Sequence, residues 1–196
     1  MTEGRPDKRA EMLREAARLF VASGFHGTSV DDIAAAVGVT KAAVFYHFRT
    51  KSDLLYEIYG AVADTINARL DDHPADLTPE KRLHQTMRDV MQVIAQMPAE
   101  VTVFHQEAPL LASCLPRRQT TELRAKERRF TEYVIDAVED AMDAGVIRRM
   151  DPTLTGYAFI AMVSWASRWY RPNGPASVTQ IADLFFNLGM DGARPR

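Results

Sequence analysis

Apolar residues along this chain recur at the spacing of an α-helix, and no stretch alternates as a half-buried strand would. Leu13, Ala16, Ala17 and Phe20 follow i, i+3, i+4, i+7, and Val30, Ile33, Ala34 and Val37 repeat the pattern over barely two turns. Such stripes can be buried only against other helices. The expected fold class is all-α, with about nine helices.

Punctuation along the chain sets the helix ends. Gly24 and Gly38 can take the left-handed turn that follows a helix, so each is read as a stop. Ser29 with Asp32, Thr50 with Asp53, and Ser177 with Gln180 have the spacing of capping boxes. Thr78 before Pro79 and Asp151 before Pro152 pair an N-cap with a proline at the first helical position. The third helix is very short, about Lys41 to His47. Leu55, Ile58, Val62 and Ile66 stripe a fourth, and Leu83, Met87, Val90, Met91 and Ile94 a fifth. A sixth is expected over Glu100–Ser113, and after Pro116 a seventh runs to Gly145. The eighth and ninth are expected over 153–171 and 177–189. Three short N-terminal helices thus precede a longer helical module. The expected domains are 1–51 and 52–196.

The 196 residues carry a net charge of −2, which identifies no partner. Its distribution is more informative: residues 1–51 hold eight Lys/Arg against six Asp/Glu, and the remainder is acidic. The N-terminal quarter is therefore the better place for a phosphate-binding face. Cys114 is the only cysteine, so no internal disulfide is possible. The polar first dozen residues do not read as a secretory signal. The longest strongly apolar run, Tyr157 to Trp165, is far short of the roughly 20 residues that span a bilayer. A cytoplasmic protein without a membrane partner is expected.

Val30–Phe48 has the layout of a helix-turn-helix: a support helix Asp31–Val37, the turn Gly38-Val39-Thr40, and a reading helix Lys41–His47. Ala42 and Ala43 allow close approach to a groove. Lys41 can reach a base edge or a phosphate, and Thr40, Tyr46 and His47 suit phosphate oxygens. Phe45 fits either the core or a thymine methyl, whereas Phe48 reads as core.

The stretch Leu13–Leu55, LREAARLFVASGFHGTSVDDIAAAVGVTKAAVFYHFRTKSDLL, resembles the TetR family of repressors. AARLF, the GF–GTSV–DIA spacing, GVTKAAVFYHF and KSDLL all fall where that family has them. The resemblance implies an N-terminal three-helix helix-turn-helix domain fused to a C-terminal effector and dimerisation domain. It implies a homodimer, a double-stranded DNA operator and a small-molecule effector. It also carries DNA-contact roles to Thr28, Thr40, Lys41, Ala42, Phe45, Tyr46, His47 and Lys51, the last at the phosphate backbone.

In the C-terminal module, Tyr157–Trp165 is apolar almost all round, as a helix buried on every side would be. One face in its own core and the other against a second subunit would satisfy it. RWYRPNGP (Arg168–Pro175) and VFHQEAPLL (Val103–Leu111) resemble a TetR subgroup of regulators of fatty-acid, steroid and aromatic-acid breakdown, several of which sense acyl-CoA thioesters. Phe104, Glu107, Leu111, Phe130, Tyr133, Phe159, Met162, Trp165 and Trp169 are the candidate ligand-binding residues, with ordinary core packing as the competing reading. The run Arg117, Arg118, Arg124, Lys126, Arg128, Arg129 is either a solvated helix face or a mouth for CoA phosphates.

An enzyme is the main rival class. No GxxxxGK[ST], GxGxxG or HExxH is present. His105-Gln106-Glu107 matches the H-x-E half of a zinc deaminase, but one cysteine cannot supply its P-C-x-x-C half. No enzymatic activity, metal or cofactor is expected. A DNA-binding regulator whose signal is a protein partner is the remaining alternative. It would show an exposed apolar patch and no internal cavity.

Overall fold

Asp7 opens the first helix by accepting from the Arg9 N–H, and from there the chain is helical nearly throughout. The structure, a computed structural model, describes residues 7–194. Among them are nine α-helices of seven residues or more and no strand. They are α1 (Lys8–Gly27), α2 (Val30–Val37), α3 (Lys41–His47), α4 (Lys51–Asp71), α5 (Pro79–Gln96), α6 (Pro98–Glu107), α7 (Arg117–Asp143), α8 (Pro152–Ser164) and α9 (Val178–Ala193). The all-α expectation holds.

The caps act as the sequence indicates. Ser29 and Asp32 form a reciprocal box, and the Ser29 hydroxyl and N–H hold the Asp32 carboxyl below the usual range. Thr50 and Asp53 exchange the same pair of bonds at 2.9 and 3.1 Å. Gly38, at φ 69°, closes α2 in the left-handed conformation.

Three local outcomes differ from the expectation. Gly24 (φ 72°, ψ 164°) breaks α1 without ending it, and one further turn, Phe25–Gly27, follows the break. The sixth helix stops at Glu107. Pro109 lacks an N–H, and the chain continues as a 3-10 turn, Ala108–Leu110, then a single helical turn, Leu111–Cys114. The eighth ends as α-helix at Ser164 and tightens into a 3-10 turn over Trp165–Arg168.

Packing divides the chain into two compact units. The first holds residues 7–62 and 99–123, the second 63–98 and 124–194. The division passes through α4 and α7 and is not contiguous in sequence. In the first unit Phe20, Ile33, Val44, Phe48, Leu55 and Tyr59 share one buried core with Val103, Leu111 and Leu123. In the second, Leu83, Met87, Met91, Val138, Phe159, Val163, Phe186 and Met190 are buried. Here α8 and α9 approach closely because of Gly189, where a Cβ would stand 2.6 Å from Phe159 Cε1 and 2.9 Å from Met162 Cε.

Candidate nucleic-acid interface and effector module

The reading helix is too short to be stable alone, so its neighbours must fix it. Thr40 caps it by accepting from Ala43 N–H, and Val44 and Phe48 plug into the core. That anchoring turns the other face outward. Lys41, Ala42, Phe45, Tyr46 and His47 are all exposed, Tyr46 to 85%. Phe45 is 41% exposed against 2% for Phe48, which settles which phenyl belongs to the core. Tyr46 and His47 meet edge to face at 5.2 Å. Lys41 lies 2.7 Å from Asp31 of α2, a solvent-exposed pair that links the two helices loosely.

Two of the expected DNA contacts are placed otherwise. Thr28 is buried, and its hydroxyl donates to the Gly24 and Leu19 carbonyls, so that side chain faces the core. Lys51 is half-buried and its ammonium donates to the Phe25 and Thr28 carbonyls at 2.7 and 2.8 Å, 4.3 Å above the Phe25 ring. Two of its three N–H groups therefore brace the end of α1, leaving one for a phosphate.

The nine effector candidates fall into separate environments. In the first unit Phe104 stacks on Tyr59 at 4.2 Å, Leu111 is core, and the buried Glu107 accepts from Phe25 N–H. In the second unit Phe130 and Phe159 line the same small apolar pocket with Leu83, Met87, Val90 and Val134. Its volume is about 10 Å³, the room of one water. Met162 and Phe159 also border an open apolar groove of about 360 Å³ between α8 and α9. Tyr133 joins a polar network instead: its hydroxyl meets His73 Nδ1 at 2.7 Å, and His73 Nε2 meets the buried Asp89 at 2.7 Å. Burial pushes the Tyr133 phenol up. The sequence reading missed this network because His73, Asp89 and Tyr133 stand on different elements.

Trp165 and Trp169 are exposed, so neither lines an enclosed cavity in this unit. Trp165 lies under the Arg168 guanidinium and Trp169 meets Phe185 edge to face. With Leu154, Tyr157, Leu184 and Leu188 they leave an exposed apolar face on α8, its 3-10 extension and α9. The opposite faces, Gly156, Phe159 and Val163 on α8 and Ala182, Phe186 and Met190 on α9, are buried. In the basic run, Lys126 pairs with Asp64 and Arg129 with Asp71, while Arg117, Arg118, Arg124 and Arg128 are exposed. Among the described residues no group of three or more His, Cys, Asp or Glu could hold a metal ion. No helix among them is long and apolar enough to cross a membrane.

Residues 12–58 match the family model for bacterial regulatory proteins of the tetR family, and residues 76–193 match that for a tetracyclin repressor-like C-terminal domain. The chain is 30% identical over 188 residues to the HTH-type transcriptional repressor KstR2 of Mycobacterium tuberculosis, covering 94% of this chain and 92% of that one. The solved structure of the M. tuberculosis ketosteroid transcriptional regulator KstR2 superposes with a TM-score of 0.89 over 98% of this chain and 97% of that one; at 24% identity this shows the fold. The structure of AibR in complex with isovaleryl coenzyme A and operator DNA is 27% identical, with a TM-score of 0.77, covering 93% of this chain and 97% of that one.

Proposed function

Because this chain belongs to the TetR family of bacterial regulatory proteins, we propose that it is a homodimeric repressor, released from a two-fold operator by a small apolar or acyl-CoA effector. The observation that carries the DNA half is the outward face of α3. Lys41, Ala42, Phe45, Tyr46 and His47 stand clear of a rigidly capped helix, as a helix entering the major groove requires. In this reading Lys41 and Phe45 touch base edges. Thr40, Tyr46, His47 and the remaining Lys51 N–H hold phosphates. Residues 1–51 are the DNA-reading domain and 52–196 the effector and dimerisation domain. A regulator acting on DNA, with no catalytic role, works in the cytoplasm.

The exposed apolar face on α8 and α9 supports the dimer. Exposed apolar side chains on two adjacent helices suit an isologous four-helix seam with a second copy. That occupant also accounts for the patch a protein signal would otherwise need.

For the effector, Phe130, Phe159 and Met162 supply apolar surface, and AibR, whose fold this chain shares, is solved in complex with isovaleryl coenzyme A and operator DNA. The 10 Å³ cavity admits no ligand as it stands. A ligand entering between Phe130 and Phe159 must therefore bind a more open geometry. Differential affinity of this kind is what shifts a two-state regulator, and a 100-fold loss of operator affinity needs only about 2.7 kcal/mol of coupling. A gel-shift titration with isovaleryl-CoA and longer acyl-CoAs, their free acids and CoA alone tests this. Release by the thioesters is expected. Release by free acids but not by their CoA esters would remove the thioester and leave Arg117–Arg129 as a solvated face.

A further inference from the structure

We propose that Glu107, at the end of α6, is a positioning residue that holds the DNA-reading helices by capping the break in α1. Gly24 leaves the helical conformation, and the following N–H, that of the buried Phe25, is taken by Glu107 Oε1 at 3.1 Å. A buried amide must find an acceptor. The acceptor here comes from 82 residues away along the chain. The other carboxylate oxygen, Oε2, is buried and has no partner in the structure. A buried carboxylate with one amide donor is costly. Leu or Met would pack there but leave the Phe25 amide without an acceptor, so packing alone does not explain Glu107.

What Glu107 holds leads directly to the reading helix. The same residue, Phe25, is held at its next peptide by Lys51, which donates to the Phe25 carbonyl and also to the Thr28 carbonyl. The next residue, Ser29, caps α2, and the Gly38 turn joins α2 to α3. Beyond Glu107 the chain keeps to the same seat: Cys114 Sγ lies 3.6 Å from His26 Nε2, and the Ser52 hydroxyl donates to the Cys114 carbonyl. A displaced α6 end would thus pull on the Phe25 peptide and so on the placement of α2 and α3.

This inference rests on the reading that α3 binds DNA. The test compares wild type, Glu107→Ala, Glu107→Gln and the exposed-neighbour control Gln106→Ala, each as the full chain. Two quantities are read: hydrogen exchange at the Phe25 amide, and affinity for a duplex that wild type selects from a random pool. Glu107→Gln keeps an acceptor but not its charge, so Phe25 exchange should quicken and affinity fall by roughly three- to tenfold. Glu107→Ala should change both by about tenfold or more, and Gln106→Ala neither. If Glu107→Ala does not fold, the Gln variant carries the comparison. Unchanged Phe25 exchange, or faster exchange with wild-type affinity, overturns the role of Glu107 while leaving DNA reading intact. A wild type that selects no duplex overturns both.

Discussion

The Lys51 ammonium donates to the Phe25 carbonyl at 2.7 Å, so a lysine at the head of α4 secures the last turn of α1. With the Thr28 carbonyl and the Phe25 ring also in reach, that ammonium has two roles at once. Lys51→Ala should therefore lower both stability and operator affinity. Loss of charged hydrogen bonds of this kind costs about 1.5–3 kcal/mol, and the salt slope of binding should fall by about one unit. Thermal melts and affinities across a salt series read the two effects separately. An unchanged melting temperature would dismiss the structural role, and an unchanged salt slope the phosphate contact.

Lys41 should behave in the opposite way. Its pair with Asp31 is exposed on both sides, so removing it costs at most about 1 kcal/mol of stability. Lys41→Ala should instead lose roughly 1–3 kcal/mol on the selected operator and relax preference at one base position per half-site. Equal weakening on every duplex would reduce Lys41 to a phosphate contact.

Much of the DNA-reading half is legible in sequence because its determinants are local. Ser29 and Asp32 lie three apart, Gly38 ends a helix by its own backbone preference, and Val44 and Phe48 follow helical spacing. The all-round apolar character of Tyr157–Trp165 likewise reads as two faces, one buried and one exposed. What escapes the sequence depends on distance along the chain. Helical periodicity groups Ile181 with Leu184, Phe185 and Leu188, yet packing buries Ile181 and exposes Leu184 and Leu188. Aromatic content nominates Trp165 and Trp169 for a ligand pocket, whereas in the single chain both are exposed. Thr28 reads as a polar contact until its hydroxyl is seen to cap the end of α1. His84, Arg88 and Asp183 are 95 or more residues apart across the pairs they form, and no local pattern announces them.

That last cluster sets an acid limit on stability. Asp183 receives Arg88 through two bonds, at 2.7 and 2.9 Å, and His84 at 2.6 Å, joining α5 to α9. The Arg88 bond is the main reason its carboxyl is held down to about 2. A carboxyl depressed on folding adds stability above its unfolded value of about 3.9, and that stability is lost as pH falls toward the folded one. Urea unfolding should therefore show wild type losing stability between about pH 4 and pH 2 more steeply than Asp183→Asn. Parallel acid limbs for the two proteins would contradict the assignment.

The close approach of α8 and α9 should be intolerant of a single methyl. Gly189→Ala puts a carbon 2.6 Å from the Phe159 ring, and overpacking of this kind costs typically 1–3 kcal/mol. Chemical denaturation measures it. A stability equal to wild type would mean that Phe159 and Met162 shift freely, and that this part of the core is looser than its packing indicates.

On the exposed faces of the same helices, Leu188→Glu should give a folded monomer, because Leu188 is 58% exposed in the single chain. Light scattering at micromolar concentration reads the change. A wild type that is itself monomeric would remove the dimer from the account.

Selection of DNA by the intact protein tests the central claim most directly. Wild type is mixed with a pool of random duplexes, and the retained duplexes are sequenced while native mass spectrometry counts the chains on each. The expected result is an inverted repeat with half-sites one helical turn or a multiple apart (about 34–36 Å per turn), carrying chains in pairs. Lys41→Ala should blur one position in each half. A retained pool no different from the input, or single chains on unpaired half-sites, would contradict a dimer reading a two-fold operator through α3.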